Sequence, residues 1–191
     1  MQGFLENSTF IDWQESSVAA KAATLASQAG QGVETVARAC FEFVRDEIKH
    51  SVDYQLNPIT CRASEVLKYK TGFCYAKSHL LAALLRANEI PCALIYQRLR
   101  LKRGAYVLHG LNSVYLKPHG WYRIDARGDG NGLVSRFAPP TEQLPFKADD
   151  CGEQIFETRF SKPLEEVISV LTKGKHWSEV SDNLPDNASL T

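Results

Sequence analysis

Cys74 follows the run Thr71-Gly72-Phe73 and opens an unbroken helical pattern, CYAKSHLLAALLRAN, so its sulfur is expected beside the unpaired N–H groups of a first helical turn. That position favours thiolate. The same N–H groups can receive the oxyanion that forms when a thiolate attacks an acyl carbon, provided an imidazole manages the proton. His109, within VLHGLNSVYL, and Asp125, closing WYRID, are the candidates for base and orienter. Both runs read as strands, and the LKPHG turn between them makes them antiparallel neighbours whose side chains can meet. Asp125 would then accept from one ring nitrogen, fix the tautomer and leave the other nitrogen for sulfur. Each residue also has an ordinary reading: Cys74 as a small buried apolar group, His109 as a hydrogen-bonded strand histidine, Asp125 as a strand end or turn former.

The elements that must position these three fall into two halves. A first helix is expected from Ser17 to Ala29, with Ser caps and the Gly30 stop. The run VETVARACFEFVRDEIKH sets Val36, Cys40, Phe43, Val44 and Ile48 on one helical stripe, where Cys40 is a core residue. ASEVLKYK makes a short helix ended by Thr71 and Gly72. The Cys74 helix is apolar almost all round from Leu80 to Leu85 and belongs in the middle of a domain. From Ile90 the texture becomes β: IPCALIYQRLRL, VLHGLNSVYLK and GWYRIDA are consecutive antiparallel strands. PLEEVISVLTK is a last helix, with Pro163 in its first turn and Leu164, Val167, Ile168 and Leu171 on one face. Helices first and strands afterwards argue an α+β fold: a helical N-terminal half whose central buried helix bears Cys74, packed on an antiparallel sheet. Asp129 to Gly132 read as loop, and the RGD tripeptide from Arg127 to Asp129 as a turn rather than an adhesion signal.

At 191 residues and 44% hydrophobic, one domain over residues 1–175 can bury most of its apolar surface, leaving 176–191 as a polar, loose tail. The 22 basic and 22 acidic residues balance, so no global field draws in nucleic acid or an anionic membrane. The opening lacks a basic start followed by an apolar run, and no eighteen apolar residues occur in succession, so the expected place is the cytoplasm. Five cysteines, an odd number without a C-x-x-C pair, argue against a disulfide framework, and no Cys or His pair has the spacing of a zinc site. No cofactor and no metal is expected.

The run ASEVLKYKTGFCYAKSHLLAALLRANEIPCALIY resembles the nucleophile segment of transglutaminase-like proteins, with Gly72, Cys74, Leu84, Leu85, Arg86, Ile90 and Pro91 on the family's pattern. His109 followed by NSVYL is similar to the family's histidine strand, and Trp121 with Asp125 to its Trp-x-x-x-Asp strand. The likeness extends through STFIDWQESSVAAKAATLA and FVRDEIKHSVDY, which resemble the helical lead-in of stand-alone bacterial members, and covers roughly residues 10–126. Leu111, where the family often has Trp, and Glu89, where Gly is common, depart from it. The resemblance implies a papain-like core and a Cys74-His109-Asp125 triad performing acyl chemistry on a peptide, protein or small amide or ester. Hydrolysis is the favoured outcome, since no calcium-loop pattern such as D-x-D-x-D-G is present. A non-catalytic binding module with the same fold, or an arylamine acyltransferase, are the alternatives. The resemblance also implies a side chain upstream of the cysteine that completes the oxyanion hole, for which Tyr54 and Gln55 are guesses.

Other polar residues read as structural. His79, one turn beyond Cys74, is expected to be buried and hydrogen-bonded, and His50, His119 and His176 to be solvated. Lys77 could line the cleft or snorkel, and Trp121 is a packing aromatic.

Overall fold

The computed structural model describes residues 1–102, 104–128 and 133–187. After a 3-10 turn at Gln2–Phe4, three helices lead in: α1 (Ser16–Ala29), α2 (Val33–Glu47) and α3 (Ala63–Tyr69). Two short strands, β1 (Lys49–His50) and β2 (Thr71–Gly72), pair in parallel with His50 opposite Gly72. Then come α4 (Cys74–Ala87), β3 (Cys92–Arg100), β4 (Tyr106–Leu116), β5 (Gly120–Ile124), β6 (Gln154–Ile155), α5 (Glu165–Lys173) and α6 (Trp177–Asp182). The larger sheet runs β5-β4-β3-β6 with antiparallel pairings, so the fold is α+β as its pattern of elements implies.

Helix α4 is buried from Cys74 to Arg86, between α1, α2 and α3 on one side and β3 and β4 on the other. Leu80, Leu81, Leu84 and Leu85 are fully buried, and truncating any of them to Ala should cost about 2–5 kcal/mol. At the far end of the helix Arg86 is buried and spends its guanidinium on backbone carbonyls: two bonds to Cys92 (3.1 and 2.8 Å) and one each to Glu6 (2.9 Å) and Ser161 (3.0 Å). Those bonds pin the start of β3 to the end of α4. Asn112, in the middle of β4, donates to the Ser78 carbonyl at 3.0 Å and fixes the sheet against the same helix.

Several local expectations change. No side chain caps α1, whose N-cap position is Glu15. In α2 the buried face is Ala37, Cys40, Phe41 and Val44, with Val36 and Phe43 only partly covered, since α1, α4 and Phe137 pack against this helix. Helix α3 ends at Lys70 in the left-handed region (φ 55°), which frees Thr71 and Gly72 to form β2. Pro163 precedes α5, whose N-cap is Leu164, and Ile168 is half-buried. The tail after Lys175 was expected to be loose, but its described part, residues 176–187, is packed: α6 puts Val180 in the core, and Pro185 accepts a main-chain hydrogen bond from Leu108. The Asp129 to Gly132 loop, and with it the Asp of the RGD tripeptide, lies outside the described residues.

Candidate active site

The pairing of β1 with β2 ends one residue short of Phe73, which is extended (ψ 165°) and serves as N-cap of α4. Phenylalanine has no oxygen to offer, so no side chain caps this helix start and its first N–H groups stay available beside Cys74. Cys74 is 8% exposed and opens onto a cleft. Opposite it, β4 is tied to α4 on both sides of His109: the Tyr75 hydroxyl donates to the Leu108 carbonyl, and Asn112 to Ser78. Gly110 permits the approach, since a Cβ there would stand 2.8 Å from the Tyr75 ring. Asp125 follows directly on β5, and because Ile124 pairs with Asn112, its carboxylate reaches back to His109 on the neighbouring strand.

His109 Nε2 and Asp125 Oδ2 are 2.6 Å apart, and the other carboxylate oxygen accepts the Arg127 N–H at 2.8 Å. Nδ1 is therefore the nitrogen left for sulfur. Burial by itself lowers the proton affinity of this imidazole, but the charges of Asp125 and Cys74 and hydrogen bonds to both outweigh it and push the His109 pKa up to about 10. The Phe146 ring stands edge-on to His109 with centroids 4.9 Å apart, and Gln97, directly across from His109 on β3, holds that loop by donating to the Phe146 carbonyl at 3.2 Å. The Cys, His and Asp read from the sequence are thus brought together.

Two further residues pack beside them: His50, which was expected in solvent, and Lys77, for which lining the cleft and snorkelling were both open. His50 is buried, lines the cleft with Cys74, and packs edge-on against Phe73. Its Nδ1 is buried without a hydrogen bond, 3.8 Å from Asp53. Burial, and then the charges of Arg127, Lys77 and His109, hold its pKa well below the ordinary histidine value, so it is neutral. It was expected to be solvated because it ends the α2 pattern, but β1 turns it inward. Lys77 does not snorkel. At 1% exposure its ammonium donates to the Ile48 carbonyl and, at 3.0 Å, to that of Arg127, linking the strand that carries His50 to the loop after Asp125. Burial lowers its pKa to about 7, against the opposing pull of Asp125. Asp53 closes the same ring by taking both Arg127 nitrogens, at 2.6 and 2.8 Å. The only advance signal for Lys77 was a lysine on the first turn of an otherwise apolar helix.

The remaining candidates lie apart. His79 is buried with Nδ1 2.8 Å from the Cys61 carbonyl, but Nε2 has no partner and the ring does not line the cleft. Tyr54 and Gln55 are exposed and are not among the residues that line it. His119 is 3.5 Å from Glu34, and His176 is the N-cap of α6. Trp121 packs edge-on with Phe4 and Tyr115, as a structural aromatic should. The cleft itself has a volume of about 820 Å³, with a largely apolar wall that includes Val52, Leu99, Leu101, Val107, Phe146 and Leu184.

The family model described as the Transglutaminase-like superfamily matches residues 19–126, more than half of the chain. No curated protein matches. Among solved structures, a candidate cysteine protease from Cytophaga hutchinsonii is similar at 20% identity with a TM-score of 0.52, over 82% of this chain and 50% of that one. The periplasmic domain of TgpA from Pseudomonas aeruginosa, bound to ethylmercury, is similar at 20% identity with a TM-score of 0.48, over 64% and 46%. The first likeness speaks for the fold, and the chain spans about half the length of that protein.

Proposed function

The chain belongs to the transglutaminase-like superfamily, and from that premise we propose that it is a cysteine-dependent enzyme of acyl chemistry that hydrolyses an amide, peptide or ester through Cys74, His109 and Asp125. The observation that carries this reading is the buried 2.6 Å contact between His109 and Asp125 at the cleft onto which Cys74 opens. Cys74 Sγ attacks the acyl carbon, and the carbonyl electron pair moves onto oxygen. The first-turn N–H groups of α4 receive the oxyanion, with His50 as the upstream side chain that completes the hole: a neutral imidazole adds a donor without adding a charge. The tetrahedral species collapses, the bond to the leaving amine or alcohol breaks, and that group takes the His109 proton. Water then attacks the thioester and gives a proton to His109, and the thiolate leaves. Asp125 holds the imidazole in register and stabilises its cation throughout.

Intact-mass measurement after brief exposure to an activated ester tests this. An acyl adduct on Cys74 that decays in water, with turnover lost in Cys74→Ala, is expected. Undiminished hydrolysis by Cys74→Ala would exclude the mechanism.

A further inference from the structure

Resting on that reading, we infer that the substrate is an extended peptide, held along the half of β4 that β5 leaves unpaired, and that the segment 183–187 is an internal occupant of the same track. Strand β5 pairs with β4 only from Asn112 to Leu116, so among the described residues no strand pairs with Tyr106 to Leu111 on that side, where the Leu108 carbonyl is already taken by the Tyr75 hydroxyl and leaves the N–H groups for a ligand. His109 lies within this stretch. The neighbouring Leu108 N–H points out of the sheet edge and donates at 2.7 Å to the Pro185 carbonyl. Main-chain pairing of an extended segment to an unoccupied strand edge is a general mode of peptide recognition. On either side of that hydrogen bond the segment is fixed by side chains. Leu184 enters the cleft lined by Cys74 and His109 and packs against the core. Asp186 is clamped by Arg98, opposite Leu108 on β3, through both carboxylate oxygens at 2.7 and 2.8 Å.

One backbone bond, one apolar side chain in the cleft and one carboxylate on a guanidinium together describe a ligand: an extended peptide with an apolar residue and, two positions on, an acidic one. A small amide or ester would use the nucleophile but neither the β4 edge nor Arg98. The internal segment occupies what such a peptide needs, so displacing it should favour peptides and leave small reagents unaffected.

The test compares two alkylating probes on the full chain, iodoacetamide and the peptidyl reagent acetyl-alanyl-leucyl chloromethyl ketone, in wild type, Asp186→Lys and the milder Asp186→Ala. Loosening one partly exposed ion pair should raise peptidyl labelling of Cys74 by about three- to fivefold. Iodoacetamide labelling should not change. A capped peptide with the sequence of Asn183 to Asn187, added in excess, should slow the peptidyl reagent again in both variants. Equal peptidyl rates in all three proteins, with iodoacetamide still labelling Cys74, would overturn the inference while leaving the proposed function standing. If neither probe labels Cys74 selectively in any of them, the proposed function itself fails and the inference with it.

Discussion

A carboxylate at 2.6 Å has a specific consequence for the imidazole it holds: His109 should keep its proton to about pH 10. In Asp125→Asn the amide cannot stabilise the cation, so the histidine resonance should titrate at lower pH by NMR, and turnover should fall by about tenfold to a thousandfold, ~1.4–4 kcal/mol of barrier. A rate within about threefold of wild type would move the orienter's role elsewhere. His50 makes a separate claim. If its ring donates to the oxyanion, His50→Ala should lower kcat by about a hundredfold, and His50→Gln, which keeps a donor, should lose less. Equal losses would reduce His50 to a packing residue. The meeting of Cys74, His109 and Asp125 at one cleft was legible because reactive residue types fell at a helix start and on two strands joined by a short turn. His50 and Lys77 were not, since their part depends on β1 and β2 meeting, a contact between short segments that carries no periodic signal.

At the scale of elements, the contact that sets the geometry is α4 against β4. Gly110→Ala would put a methyl 2.8 Å from the Tyr75 ring, and the helix and the His109 strand would have to separate. We expect the variant to melt lower, by about 1–3 kcal/mol of stability, and to lose activity more than that stability loss explains. A variant as active as wild type would mean that the β4 approach is not what positions His109. Lys77 and His109 oppose one another in pH dependence. His109, with its folded pKa raised from 6.5 to about 10, contributes stability that is present below 6.5 and lost as pH rises through about 10. Lys77, lowered from 10.5 to about 7, does the reverse, and its cost is relieved as pH rises between those values. Lys77→Met removes the rising part, so its melting temperature should fall with pH from about 7 to 10 more steeply than that of wild type. Parallel melting profiles would contradict this opposition. Helix α4 and strands β3 to β5 were legible as long runs with clear burial patterns, whereas the buried face of α2 turned on which neighbour approached it.

Across the whole molecule, burial sorts the five cysteines. Cys40, Cys61 and Cys92 sit in the core, where burial pushes each thiol up to about 12, and Cys151 is exposed. Only Cys74 combines access to the cleft with a helix start and an imidazole. The packing of residues 176–187 was the largest misreading at this scale, because α6 is six residues long and the segment's apolar positions, Trp177, Val180 and Leu184, stand singly among polar residues. Cys151 supplies the reference that makes the central claim measurable: that Cys74, His109 and Asp125 are one site. The rate of iodoacetamide labelling at Cys74 relative to Cys151, followed by mass spectrometry in wild type and His109→Ala at neutral pH, addresses it directly. Labelling of Cys74 well ahead of Cys151, slowed by about tenfold or more in His109→Ala, is the predicted result. Cys74 reacting no faster than Cys151, or at the same rate with and without His109, would contradict it.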